Sequence, residues 1–212
     1  MIKAIIFDKD GVLIESEEFY LERRLQYLEE KGITPASTDL NDFIGNGSDK
    51  NWKTIIPHDE ELREKLAKDF IENYMVENPI DYDKHTRKNI VEIFREIKSR
   101  GFKIAIASAA AKNDIKDFID AAGIEEYLDT YVSGRDCKNN KPYPDVYLKT
   151  MEILDVNKDE VMIVEDSITG LKAAKASGAK VIAFEPTKYT IDQSLADYKI
   201  KDLSEILNYL DK

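Results

Sequence analysis

Four short polar clusters in this 212-residue chain hold the residue types that do chemistry: Asp8-Lys9-Asp10-Gly11, Ser108-Ala109, Lys141 beside Pro142, and Glu165-Asp166-Ser167. Gathered at one place, they supply three or four carboxylates together with ammonium and hydroxyl groups, Lys141 and Ser108 among them. Carboxylates crowded together repel one another unless a cation neutralises them. Hard oxygen donors without thiolate or imidazole point to Mg²⁺. An ammonium in the same cluster then faces an anion held by the metal, most economically a phosphoryl group. One aspartate can attack phosphorus to give an aspartyl-phosphate, and a second, two residues on, can move protons. Gly11 lets backbone N–H groups approach phosphoryl oxygens.

Such a cluster needs a scaffold that ends several segments at one edge. Short apolar runs at Ile2–Phe7, Lys103–Ala107, Thr130–Val132, Val161–Val164 and Lys180–Ala183 suit strands buried on both faces of a parallel sheet. The first, second and fourth lead directly into a polar cluster, and Lys141 follows the third at some distance. Between the later runs the apolar spacing is helical. Ile90, Ile93, Phe94 and Ile97 recur at i, i+3, i+4, i+7, as do Ile115, Phe118, Ile119 and Ala122, closed by Gly123. Pro144 opens a helical face of Val146, Tyr147, Thr150, Met151 and Leu154, and Ser167–Ser177 ends in Gly178. Asp202 and Glu205 form a capping-box pattern before Ile206, Leu207 and Leu210. Strand and helix therefore alternate from about residue 88, which predicts a doubly wound (Rossmann-like) parallel α/β sheet. Ligands of such sheets bind outside the carboxyl ends of the strands, where the four clusters fall.

Between Leu13 and Asp83 no strand run stands out, and the stretches Glu17–Lys31 and Glu60–Met75 read as helical. Residues 15–82 hold 8 bases and 17 acids against 23 and 25 in the remainder. The expectation is an α/β core over 1–14 and 83–212 with an all-helical cap inserted over 15–82.

Asp8-Lys9-Asp10-Gly11-Val12-Leu13, Ser108, Lys141-Pro142 and Glu165-Asp166-Ser167-Ile168-Thr169-Gly170 resemble, in order, the four motifs of the haloacid dehalogenase superfamily. The stretch Val164–Gly178 is most similar to the subfamily containing β-phosphoglucomutase and small sugar-phosphate phosphatases, whose members carry a helical cap at this point. The resemblance implies Asp8 as nucleophile and metal ligand. It implies Asp10 as proton donor and then base, with its carbonyl on the metal. Ser108 and Lys141 would hold the phosphoryl oxygens, together with Gly11 and Ala109. Asp166 would ligate Mg²⁺, with Glu165 in contact with the ion or just behind it. Dehalogenases of the superfamily lack the second aspartate, so Asp10 argues against dehalogenation.

The cap separates phosphatase from mutase. In sugar-phosphate mutases of this subfamily a Gly-x-Ser-Arg turn grips the distal phosphate, and a histidine lies in the first cap helix. Here the stretch reads Gly45-Asn46-Gly47-Ser48-Asp49, and Tyr20 stands at the histidine's place. A carboxylate repels a second phosphate, so the expected activity is hydrolysis of a small phosphomonoester, with mutase action as the alternative. A phosphate-binding or receiver-type signalling protein is the reading from another class. A receiver carries its phosphoacceptor after the third strand and has no insertion like 15–82.

Composition narrows the remaining classes. The chain is 42 % apolar with a formal net charge of −11, which favours a packed core and disfavours nucleic acid as partner. One cysteine, Cys137, fits a reducing compartment, and no apolar stretch approaches a bilayer span. The opening Met1–Phe7 reaches two aspartates too early for a signal peptide, so a cytoplasmic, monomeric enzyme acting on a small phosphorylated metabolite is expected. His58 and His85 lack metal-ligand spacing and read as surface residues. Trp52, Ile55 and Ile56 read as cap core, and Glu15, Glu17, Glu18 and Glu22 as a solvated helix start.

Overall fold

The computed structural model describes residues 1–44 and 47–210. The chain divides into two compact units, Ser16–Asp81 and Met1–Glu15 with Tyr82–Lys212.

The inserted unit is built from helices α1 (Glu17–Glu30), α2 (Ser48–Ile55), α3 (Glu60–Asp69) and α4 (Met75–Glu77). Glu17 and Glu18 occupy the first turn of α1, where acids complement the helix dipole. The Asp59 carboxylate accepts from the Leu62 N–H and so caps α3. The stretch expected to be one helix from Glu60 contains a π-helical turn, Phe70–Tyr74, and continues as far as Glu77. Phe70 and Tyr74, at its two ends, are both buried. They meet Tyr27 at ring distances of 5.3 and 5.1 Å, and Phe70 meets Trp52 at 5.5 Å. Trp52, Ile55 and Ile56 are buried in this core, as their spacing indicated. Asp49 lies in the first turn of α2; Gly45 and Asn46 of the Gly45–Asp49 stretch lie outside the described residues.

The other unit holds a six-stranded sheet: β1 (Ala4–Phe7), β2 (Lys103–Ser108), β3 (Thr130–Ser133), β4 (Val161–Glu165), β5 (Lys180–Phe184) and β6 (Tyr198–Ile200). The order is β3-β2-β1-β4-β5-β6 and every pair is parallel. Helices α5 (Tyr82–His85), α6 (Ile90–Ser99), α7 (Lys112–Ala122), α8 (Asp145–Leu154) and α9 (Ile168–Ser177) accompany it. Side chains alternate across each strand. Ala4 and Ile6 join a core with Val146, Tyr147, Met151 and Leu171 from α8 and α9. Phe7 points the other way, its ring 5.0 Å from Phe94 of α6. Each buried aliphatic side chain contributes about 2 kcal/mol, which is why β1 and β4 carry apolar residues on both faces.

Two elements depart from the sequence reading. The short strand β6 was not visible, because Tyr198-Lys199-Ile200 is an edge strand with Lys199 exposed. The segment after the Asp202/Glu205 capping box, Leu203–Asn208, forms 3₁₀ turns rather than an α-helix. Gly123 and Gly178 end α7 and α9 at φ of 64° and 83°, as their positions suggested.

For the site, the placement of β1 matters most. It pairs with β2 on one side and β4 on the other, so Asp8 leaves the sheet where the strand order reverses. Phe7 is in register with Val164, and the Asp8 N–H donates to the Val164 carbonyl at 2.9 Å. Asp8 therefore sits beside the end of β4.

Candidate active site

Lys141 approaches this strand end from the loop ahead of α8. Its Nζ donates to Asp8 Oδ1 at 2.7 Å, to Glu165 Oε1 at 2.7 Å and to the Ala107 carbonyl at 3.1 Å. Only 7 % of the lysine side chain is exposed. Burial works against its charge, but the Asp8 and Glu165 carboxylates hold it well above the ordinary lysine range. The ammonium is thus a permanent cation at the base of the site.

Glu165 is fully buried and uses both of its oxygens. Oε1 takes the Lys141 bond and a 2.5 Å bond from the Tyr147 hydroxyl. Oε2 accepts from the N–H groups of Asp166 and Ser167 at 3.1 and 3.4 Å. Gly170 permits this packing: a Cβ there would meet the Glu165 carboxyl carbon at 2.0 Å. Ser167, in turn, caps α9 by accepting from the Gly170 N–H.

Asp166 is 4 % exposed. Its Oδ2 accepts from the Tyr189 hydroxyl at 3.2 Å, and its carbonyl from Gln193 Nε2 at 3.4 Å. Gly11 lies against it at φ 77°, and a Cβ there would stand 1.9 Å from Asp166 Oδ2. The N–H of Gly11 itself donates to the Ile14 carbonyl. The glycine is therefore required by its backbone angle and by the nearness of Asp166.

Asp8, Glu165 and Asp166 each present a carboxylate oxygen within 4.8 Å of the others, all three buried, and such a group could hold a metal ion. Charge favours that fit. Burial, reinforced by Glu165 and Asp10, pushes the Asp8 carboxyl up to about 7 despite the opposing pull of Lys141. A divalent cation would supply the missing positive charge, and the donors are hard oxygens throughout.

Asp10 lies beside this group with its side chain 24 % exposed, its Oδ1 3.3 Å from the Lys9 ammonium. Ser108 is the last residue of β2, its Oγ accepting from the Ala110 N–H at 3.1 Å, and Ala109 beyond it is exposed. Side-chain contacts thus join Asp8, Lys141 and Glu165 directly. Ser108 adjoins them through Ala107, whose carbonyl holds Lys141.

Sequence reasoning missed several supporting residues. Tyr147 read only as part of the apolar face of α8, and its hydroxyl gave no signal of its own. Tyr189 and Gln193 belong to a stretch without periodicity. Arg87 anchors the turn after β1 by donating to the carbonyls of Val12 and Gly11 at 2.7 and 2.9 Å while its guanidinium lies 4.0 Å over the Phe184 ring. Glu15, read as part of a solvated helix start, precedes α1 and accepts from Arg87 at 2.7 Å. His85 Nδ1 lies 3.1 Å from the Glu15 carbonyl.

A doubly wound parallel sheet with this acidic cluster at its switch point defines a class of hydrolase. Residues 5–184 match the haloacid dehalogenase-like hydrolase family, and the chain belongs to it. Among relatives, the phosphorylated carbohydrates phosphatase of Thermotoga maritima is 30 % identical over 200 residues, covering 93 % of this chain and 89 % of its own. The phosphoglycolate phosphatase of Aquifex aeolicus is 27 % identical over 211 residues, covering 99 % and 97 %. The crystal structure of CbbY from Rhodobacter sphaeroides in complex with phosphate shares the fold, with a TM-score of 0.77, 23 % identity and 100 % of each chain covered. Among the described residues no helix is long and apolar enough to cross a membrane.

Proposed function

We propose that the protein is a Mg²⁺-dependent phosphatase that hydrolyses a small phosphomonoester, a sugar phosphate or a comparable metabolite, through an aspartyl-phosphate on Asp8. The observation that carries this reading is the buried Asp8 carboxylate at the end of β1, with Lys141 at 2.7 Å and two further carboxylates within 4.8 Å. In this reading Asp8, Asp166 and the Asp10 carbonyl hold the metal, with Glu165 at its edge. A cation bound there would supply the positive charge that offsets the carboxylates and the phosphoryl oxygens.

The remaining chemistry belongs to the chain. An Asp8 oxygen attacks phosphorus and the P–O ester bond breaks. Asp10 gives its proton to the departing oxygen. In the second half Asp10 takes a proton from water, which attacks phosphorus, and orthophosphate leaves as Asp8 is restored. Lys141 and Ser108 hold phosphoryl oxygens, helped by the backbone at Ala109, and offset the charge that develops there. Glu165 keeps Lys141 in place, since both of its oxygens are already engaged.

The name of the Thermotoga relative supports a phosphorylated carbohydrate as substrate. The net charge of −11 agrees with a small metabolite as partner rather than nucleic acid or an anionic membrane. We take the chain to act as a cytoplasmic monomer with residues 15–82 as its cap. The test is phosphate release from phosphorylated sugars, polyols and nucleotides with and without Mg²⁺, beside an assay for hexose 1-phosphate to 6-phosphate conversion. Mg²⁺-dependent release outpacing isomerisation is expected. Isomerisation outpacing release would make the enzyme a mutase, and no turnover of any ester would leave a binding protein.

A further inference from the structure

The residue between the two motif aspartates is a lysine whose side chain is only 2 % exposed. Lys9 ranks with Ile5, Ile6 and Leu13 among the largest fully buried side chains. An ammonium is taken out of water only at high cost unless it is paired. Its partner is Asp10, with Nζ 3.3 Å from Oδ1. The other side of the ammonium faces the Tyr82 ring, 5.8 Å to its centre. That ring is itself fixed, 5.6 Å from Phe118 and with its hydroxyl donating to the Asp114 carbonyl. The backbone of Lys9 has a separate task, its carbonyl accepting from the N–H groups of Leu13 and Ile14 to close the turn after β1. Any residue could do that, so the turn does not account for a charge here. Asp10, by contrast, keeps 24 % of its side chain exposed, so Lys9 holds it from the buried side.

We propose that Lys9 is a positioning residue for proton transfer: its buried ammonium, braced by Tyr82, holds the Asp10 carboxyl group in the orientation that meets the ester oxygen. The proposal rests on the roles assigned above to Asp8 and Asp10. In the step concerned, the Asp8 oxygen–phosphorus bond forms, the phosphorus–ester oxygen bond breaks, and the Asp10 proton passes to that oxygen, which leaves as neutral alcohol. A misoriented donor matters little when the leaving group departs readily as an anion. It matters greatly for an alkoxide.

The test is the leaving-group dependence of kcat/KM, which reports formation of the phosphoenzyme, across 4-nitrophenyl phosphate, phenyl phosphate and glycerol 2-phosphate with Mg²⁺. Lys9→Met keeps the buried volume and removes the charge. It is expected to lower kcat/KM by about 30-fold for glycerol 2-phosphate and by less than about threefold for 4-nitrophenyl phosphate, with KM little changed. Lys9→Arg, which restores a cation, is expected to recover most of the loss. Asp10→Asn should show the same graded pattern more strongly. Adding Lys9→Met to Asp10→Asn should cost less than about twofold more, because the two act as a unit. A loss equal across the series, or none, in Lys9→Met while Asp10→Asn stays graded overturns the role of Lys9 and leaves that of Asp10 standing. An ungraded Asp10→Asn, or a wild type that turns over no ester, overturns the reading of Asp10 and this inference with it.

Discussion

The ammonium of Lys141 stands 2.7 Å from Asp8 Oδ1, although 133 residues of sequence separate them. It also serves Glu165 and the Ala107 carbonyl, three acceptors around one compact charge. A planar guanidinium cannot reproduce a compact charge shared among these three acceptors. Lys141→Arg is therefore expected to behave as a loss, lowering kcat by about 100-fold. Lys141→Met should lower it further and destabilise the fold by about 3 kcal/mol, because Glu165 is left buried without its cation. Steady-state rates and urea unfolding on the two variants check both numbers.

The Asp8 carboxyl, pushed up to about 7 by burial and by Glu165 and Asp10, links stability to pH and metal. An unfolded aspartate titrates near about 4. Between those values the folded protein keeps a proton that the unfolded chain has released. Asp8's contribution to metal-free stability is therefore full below about pH 4 and declines as pH rises to about 7. A cation competes with the same proton, so Mg²⁺ should raise the melting temperature more at about pH 8 than at about pH 5.5. Asp8→Asn should flatten the metal-free profile. Equal Mg²⁺ shifts at both pH values in the wild type would contradict this linkage.

Two glycines hold the acidic cluster open. A Cβ at Gly11 would fall 1.9 Å from Asp166 Oδ2, and one at Gly170 would fall 2.0 Å from the Glu165 carboxyl. Gly11→Ala also meets an unfavourable backbone, at φ 77°. It is expected to cost at least about 1 kcal/mol of stability and to weaken Mg²⁺ binding at least about tenfold by displacing Asp166. Gly170→Ala should act through Glu165 and so disturb Lys141 as well. Calorimetric titration with Mg²⁺, beside thermal unfolding, separates the two effects.

Tyr147 donates to Glu165 from the buried face of α8. Tyr147→Phe keeps the ring and deletes the bond. The expected cost is about 1–2 kcal/mol of stability, with kcat reduced less than by Lys141→Met, since the lysine keeps its contacts with Asp8 and Glu165. Denaturant unfolding of Tyr147→Phe tests the cost.

What the sequence disclosed follows from what each element needs. Strands β1, β2, β4 and β5 are buried on both faces, so they appear as unbroken apolar runs ending in polar residues, and the family's motifs lie at three of those ends. The edge strand β6 needs no such run and left no trace. Asp8, Glu165 and Asp166 were legible because their types are out of place at the ends of apolar strands, whereas Lys141, well beyond β3, was legible only through its place beside Pro142 in the order of the family's motifs. Tyr147 and Tyr189 act through single hydroxyls at the rim of apolar rings, and nothing in their spacing separates such a hydroxyl from core packing. Lys9 was visible as a letter in a motif, but its burial and its contact with Asp10 depend on the turn closed by Leu13 and Ile14.

The central claim is that Asp8 receives the phosphoryl group. Borohydride reduction of the enzyme quenched during turnover of a phosphorylated sugar converts an acyl phosphate to the alcohol, and peptide mass spectrometry then reads the position. The account predicts homoserine at residue 8, formed only with Mg²⁺ and substrate present. Continued phosphate release with residue 8 recovered as unmodified aspartate, or with Asp8→Asn fully active, would contradict it.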